Sequence, residues 1–184
     1  MGPKYEFTDE TLIWNDGHLL HRIRRISDNK LGGWIEKESN LSQDCDCWVD
    51  NHAKVYGDAK VYDNALVYGA AEVCEYAQVY GNAWVYGDAF ICDNAQVYDN
   101  AKVDGDAIVY GNARIYDRAS VHDDAEVYDK AQVYGNAKVY DDAKVYDYAK
   151  IYDNAQVYGN AKVHLLDEIC NEDKVYDNSD VTGE

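Results

Sequence analysis

Apolar and polar positions repeat along most of this chain with a period of six. From Ala53 to Ala161 every sixth residue is alanine, nineteen times, and two places after each stands Val or Ile. A variable residue separates the two, and Tyr follows the Val or Ile in most copies. Two turn formers close the unit, in most copies Gly-Asp, Gly-Asn, Asp-Asn or Asp-Asp. An α-helix, at about 3.6 residues per turn, would smear such columns around its surface. A strand keeps them in line: Val points in while the residues on either side of it point out. Gly, Asn and Asp tolerate the corner that follows, often with positive φ. The next Ala points in again, where only a small side chain fits. One hexad is thus one side of a coil, and three sides close a triangular coil of about 18 residues. Nineteen hexads make about six coils, a rod of roughly 30 Å at a strand spacing of ~4.8 Å.

Both ends depart from the repeat. The stretch KYEFTDETLIWNDGHLLHRIRRI alternates apolar and polar residues on both sides of NDG. It predicts a β-hairpin turning at Asn15-Asp16-Gly17, with His21, Arg22, Arg24 and Arg25 on its second strand. Ile35, Leu41 and Cys47 are six apart and Ala53 is the next step, so the register is expected to begin before the regular units. Past the array, Val163, Ile169, Val175 and Val181 keep the spacing, but the alanine column becomes Asp167, Asp173 and Ser179. A buried unpaired carboxylate is costly, so this coil is expected to distort or end. It would then cap the open rung against edge association. The expected organisation is a hairpin cap over residues 1–34, the coil over 35–164, and a degenerate acidic cap or tail over 165–184.

The pattern V-x-x-x-A-x resembles the hexapeptide repeat of bacterial transferases, whose fold is a left-handed parallel β-helix. The resemblance covers about residues 53–164 and implies an all-β triangular solenoid of that hand, although general chain rules favour right-handed crossovers. The stretch LGGWIEKESNL…CWV, followed by VYGDA units, also resembles uncharacterised hexapeptide-like proteins of bacteria and their phages. That second resemblance implies no activity.

Composition agrees with a repeat: Pro occurs once, Phe twice and Tyr 18 times. A net charge of −18 predicts attraction to basic surfaces and repulsion from nucleic-acid phosphates and membranes. The acid is densest in residues 165–184, with seven acids and one base. No apolar run suits a membrane helix or signal peptide. Five cysteines without a pair of CxxC units point to a reduced, cytoplasmic setting, in a bacterium or phage-infected host.

Residues one coil apart should stack. One Tyr column is unbroken: Tyr62, Tyr80, Tyr98, Tyr116, Tyr134 and Tyr152. A second holds Cys74 and Cys92 among tyrosines, close enough to bridge or to stand as free thiols. A third holds Asp104 and His122, expected as an ion pair filling a gap, or else, as the first resemblance implies, His122 as the catalytic His of a hexapeptide acyltransferase. Cys45 and Cys47 alternate, so one should point into the core. The ladders either stiffen the rod or form an aromatic binding face. Trp48, Leu66 and Trp84 stack on one outer face, and Phe90 and Ile108 on the next. Either the hairpin covers them or they are an interface, since contiguous exposed apolar area marks contact sites. Asp88, Asp106, Asp124 and Asp142 form an acidic corner ladder, either solvated or cation-binding.

These features favour a non-enzymatic binding rod, an inhibitor that presents an acidic, Tyr-rich surface to a protein with a basic or nucleic-acid-binding site. An acyltransferase and a self-assembling structural protein are the alternatives. No catalytic residue, metal or cofactor is expected, no direct contact with nucleic acid or membrane is expected, and a homo-oligomer stays open. Ice binding is excluded, because the outward residues are Lys, Gln and Tyr rather than Thr-x-Thr arrays.

Overall fold

Each hexad becomes a two-residue strand and a corner. The variable residue and the Val or Ile form the strand, the ring residue leaves it, and the turn pair bends the chain toward the next side. In this computed structural model, which describes residues 2–176 and 180–181, the chain is an all-β parallel solenoid with three sheets for its sides. Face 1 holds Lys54–Val55, Glu72–Val73, Phe90–Ile91 and their successors to Asp180–Val181. Face 2 runs from Lys60–Val61 to Glu168–Ile169, and face 3 from Trp48–Val49 to Lys174–Val175. Partners within a face are one coil apart, as in Trp84↔Lys102 and Val85↔Val103. The Val, Ile and Ala columns fill the interior, all close to fully buried from Ala53 to Val163.

At each corner from Asn51 to Asn171 one residue takes positive φ, and it is the first of the turn pair. Aspartates there lie at φ 56–58. The second member, often Asn, does not. Asp and Asn pay little for this conformation because a short polar side chain can bond locally.

The N-terminal hairpin is present as expected. Strand β1 (Tyr5–Trp14) pairs antiparallel with β2 (His18–Arg25) around a single 3₁₀ turn at Asn15–Gly17. Strand β2 pairs with β3 (Leu31–Ile35), and β3 pairs in parallel with Lys54–Val55, so the hairpin extends face 1. Gly32 and Gly33 permit the junction. A Cβ on Gly33 would sit 2.5 Å from the Ala53 carbonyl oxygen, and one on Gly32 2.7 Å from the Trp48 ring. The inner side of the hairpin closes the core with Tyr5 and Ile23, packed in one cluster with Ile35, Leu41, Trp48 and Val49.

Two sequence expectations need correction. The alanine column takes in only Cys47; Ile35 pairs with Val55 and Leu41 bridges Val61. Leu41 and Val49 are eight residues apart where the array uses six, so the first coil carries two extra residues in the stretch before Trp48. At the other end the coil neither distorts nor stops at Asp167. Lys150↔Glu168 and Ile151↔Ile169 pair in the same register, and Gln156↔Lys174 follows. Asp167 is buried, its Oδ2 accepting the His164 N–H at 3.4 Å and its Oδ1 without a hydrogen-bond partner among the described residues. Asp173 is exposed, and Ser179 lies outside the described residues.

Candidate binding surfaces

The ring columns form where each strand meets its corner, and stacking follows from the coil repeat. Tyr62, Tyr80, Tyr98, Tyr116, Tyr134 and Tyr152 stand 4.8–5.0 Å apart, centroid to centroid, within 7° of parallel. That spacing is the strand separation itself. Each neighbouring pair contributes about 0.5–1.5 kcal/mol beyond burial. The Tyr62 and Tyr116 hydroxyls donate to Gln78 and Gln132 at 3.1 and 3.3 Å. Burial, with the next ring's hydroxyl beside it, pushes both up to about 12. A second ladder runs Tyr110, Tyr128, Tyr146 and His164.

The third ladder corrects the Asp104–His122 expectation. His122 pairs through Nδ1 with its neighbour Asp123 at 2.9 Å and stacks on Tyr140 at 5.1 Å. Asp104 instead serves Tyr86: burial and a hydrogen bond to this carboxylate push the Tyr86 hydroxyl up to about 12. His164 is a rung of the second ladder, stacked on Tyr146 at 5.0 Å.

Charge separates by position around the triangle. The corner from face 3 to face 1 collects Asp88, Asp104, Asp106, Asp123, Asp124, Asp141 and Asp142. The predicted ladder of Asp88, Asp106, Asp124 and Asp142 lies there, exposed. Outward positions on face 3 read Lys102, Ser120, Lys138, Gln156 and Lys174, and face 2 carries Arg114 and Lys150. Acid is thus densest on this corner, beside a ring ladder. The corner from face 1 to face 2 carries Asp58, Glu75, Asp93, Asp129 and Asp147, and the corner from face 2 to face 3 carries Asp63, Asp99, Asp117, Asp153 and Glu172. Faces 2 and 3 are neutral to basic.

The apolar strip divides. Trp48 is 5% exposed, edge-on to Tyr5 at 6.5 Å, with the Arg25 guanidinium 4.5 Å over its ring. It is therefore not available as an interface residue. Phe90 packs, as do Leu12 and Trp14 of the hairpin, against a buried cluster of Leu20, Tyr56 and Cys74, where the hairpin tip curls over the outside of face 1. There Trp14 donates its indole N–H to Glu72 at 3.0 Å, and Lys54 sits 3.9 Å over its ring. Leu66 and Ile108 are half-buried. Trp84 alone of the five is exposed, at 40%, with Lys102 5.0 Å from its ring. The hairpin's bases are engaged too: Arg22 with Glu10, Arg24 with Glu6 and His18 with Glu36.

Both cysteine pairs are brought together as free thiols, Cys74 with Cys92 and Cys45 with Cys47, each at 2.7 Å between sulfurs. An open groove of about 740 Å³ runs along the corner from face 1 to face 2, lined by Arg114, Lys130, Tyr148 and Lys150 among others. His122 lies on a different corner. No helix among the described residues is long and apolar enough to cross a membrane.

Three segments, residues 77–93, 95–111 and 131–147, match the family described as YdcK Beta solenoid repeat. The coil is a hexapeptide-repeat-like β-solenoid. No curated protein matches the chain.

Sequence reasoning missed three things. The corner aspartates bond from coil to coil, acid is densest on one of the three corners, and Lys4 Nζ clasps the irregular first coil at the carbonyls of Ser42, Cys45 and Cys47. Stacking the sequence in coils of 18 would have exposed the ridge, because all seven aspartates fall in one three-residue window of that register. The Lys4 contact leaves no such signal.

Proposed function

We propose that the protein is a non-enzymatic binding rod that meets a basic protein surface along the ridge between faces 3 and 1. The observation that carries this reading is the density of acid on this ridge, greater than on either other corner of the same coils. Seven carboxylates stand on four successive coils, Asp88 on the first and two on each of the next three. Four coils at a strand spacing of ~4.8 Å give roughly one charge per 3 Å, close to the spacing of ~3.4 Å along one strand of duplex DNA. The rings of Tyr86 and Tyr140 beside the ridge add an aromatic contact of the kind enriched at interfaces. An inhibitor that occupies a nucleic-acid-binding site on its target is the specific form this takes. Five free thiols support a reduced, cytoplasmic setting. The acyl-transfer alternative rests on likeness of fold alone.

The test is capture from a cell lysate at low and high salt. Two variants are compared with the parent chain, one with Asp88, Asp106, Asp124 and Asp142 changed to Asn, the other with Asp93, Asp129 and Asp147 changed to Asn on another corner. The first should lose its basic partner and the second retain it, with binding falling as salt rises. Equal retention by both variants would remove the ridge from the argument. Acetyl transfer from acetyl-CoA that vanishes in His122→Ala would replace the binding reading with an enzymatic one.

A further inference from the structure

The two residues by which the first coil exceeds the repeat fall in a stretch that contains Cys45-Asp46-Cys47. The N-terminal strand clasps this stretch. Lys4 Nζ donates to the carbonyls of Ser42, Cys45 and Cys47 at 2.7, 2.9 and 2.8 Å, and lies 3.3 Å from Cys47 Sγ. The Tyr5 hydroxyl donates to the Leu41 carbonyl at 2.9 Å, and Gln43 Oε1 accepts the Lys4 N–H at 2.8 Å. Within the clasp the two sulfurs face each other at 2.7 Å. Cys47 is fully buried, while Cys45 is half-buried on the surface of a bend.

The binding role uses none of this. We propose that Cys45 and Cys47 form a thiol–disulfide exchange site for a small disulfide, with Cys45 as the entering nucleophile, Cys47 as the resolving thiol, and Lys4 as the positioning residue that stabilises the resolving sulfur. Access sets the order of attack, since an external disulfide can reach Cys45 and not Cys47. Ionisation sets the same order. Burial opposes ionisation of Cys45, but hydrogen bonds with Cys47 and Ser42 and the nearby Lys4 charge outweigh it, holding this thiol below its ordinary range. Burial, with the Cys45 sulfur beside it, pushes Cys47 up to about 12. The thiolate is the attacking species, so the lower group goes first.

The chemistry balances without a metal. The Cys45 thiolate attacks one sulfur of the disulfide RSSR, forming Cys45–S–S–R and expelling RS⁻, which takes up a proton. Cys47 then gives up its proton and attacks Cys45 Sγ, expelling the second RS⁻, which is protonated in turn. Two electrons pass from the protein dithiol to RSSR, leaving a Cys45–Cys47 disulfide and two RSH. The second step must ionise a buried thiol, and the Lys4 ammonium 3.3 Å away is the charge that favours it. A ring closed over a single intervening residue is tight, which places the product among labile, readily reduced disulfides. The pair Cys74 and Cys92 has the same sulfur separation but not the same chemistry. Cys74 is 2% exposed beneath the hairpin tip, and burial raises both thiols.

The test uses the full reduced chain, folded, with oxidised glutathione as the probe. Samples are quenched in acid, alkylated and read as peptides by mass spectrometry. The Cys45–Cys47 disulfide should form about tenfold or more faster than glutathione adds to Cys170, a half-buried thiol outside the clasp. Cys47→Ser should accumulate one glutathione on Cys45, and Cys45→Ser should leave Cys47 unmodified. Lys4→Gln should slow resolution about tenfold, so that the mixed disulfide on Cys45 becomes visible. Should Lys4→Gln fail to fold, the two cysteine variants still decide the order of attack. The proposal is overturned if Cys45 reacts no faster than Cys170. It is equally overturned if the two serine variants take up glutathione alike, or if Cys74 and Cys92 oxidise first.

Discussion

Asp117 Oδ2 accepts the backbone N–H of Gly135, one coil further along, at 3.1 Å. The carbonyl of Gly135 is already used by the Arg118 N–H at 2.8 Å, so this contact supplies the partner for the corner's remaining polar group. The same tie recurs at Asp63, Asp93, Asp129, Asp141, Asp147 and Asp153, each reaching the residue eighteen further on. Unpaired backbone donors are costly, and here a side chain pairs them between coils. The corner aspartates thus staple the rod as well as tolerate its φ. Asp117→Ala should cost about 1–2 kcal/mol, from the lost hydrogen bond and from an alanine held at positive φ. Asp117→Asn keeps a carbonyl acceptor and a residue suited to that φ, and should stay within ~0.5 kcal/mol. Urea unfolding midpoints check this, and equal midpoints for the two variants would mean the tie contributes nothing.

Ala107 is fully buried, immediately before the strand Ile108–Val109. Ala107→Leu should destabilise by about 1–3 kcal/mol or more, because interiors this tightly packed accommodate added methylenes only by moving backbone. Calorimetry or chemical unfolding reads the loss. An unchanged midpoint would contradict the inward placement of the whole alanine column.

The fold was legible wherever the repeat was strict. Ala and Val at fixed spacing leave one geometry that buries both, and the hairpin announces itself by alternation around Asn15–Gly17. Where the spacing held but the backbone did not, reading failed. Ile35 stands eighteen residues before Ala53, yet the two extra residues before Trp48 shift it under Val55. An insertion leaves no mark on spacings counted upstream of it. Asp167 misled in the opposite sense, since a carboxylate in the alanine column is tolerated close to the end of the rod. The division of the apolar strip was open in the sequence, because covering Phe90 depends on the hairpin tip curling over face 1, a tertiary fact. His122 was assigned to Asp104 by column, but its immediate neighbour Asp123 is the nearer carboxylate.

The tyrosine ladders make stability depend on alkaline pH. Burial is the first cause that pushes the hydroxyls of Tyr62, Tyr116 and Tyr128 from 10.0 up to about 12, followed by neighbouring rings. A group whose pKa is higher in the folded state holds its proton more tightly there. Its contribution is complete below pH 10 and is lost as pH rises toward 12. The rod should therefore keep its stability up to about pH 10 and lose it steeply above. Circular dichroism and tyrosinate absorbance, followed together, should change in one step. Titration of most tyrosines near pH 10 with the fold intact would show that stacking does not protect them.

Trp14 and Trp84 are both on the outside of the solenoid, and they should behave oppositely. Trp14 fastens the hairpin tip to face 1. It donates to Glu72, lies under Lys54 Nζ, and packs with Phe90, Leu20 and Cys74. Removing it uncovers that cluster and leaves Glu72 short of a donor. Trp84 rests on Leu66 below and Lys102 above with 40% of its surface in solvent. Trp14→Ala should cost about 2–4 kcal/mol, which for a chain of this size lowers the melting temperature by about 4–16 °C. Trp84→Lys should stay within ~1 kcal/mol, because a long side chain can still lie along the face with its charge in water. Differential scanning calorimetry on the two variants separates the cases. A large loss with Trp84→Lys would mean that face 3 is covered by something the monomer needs. Light scattering on the same samples would then show whether that cover is a second copy of the chain.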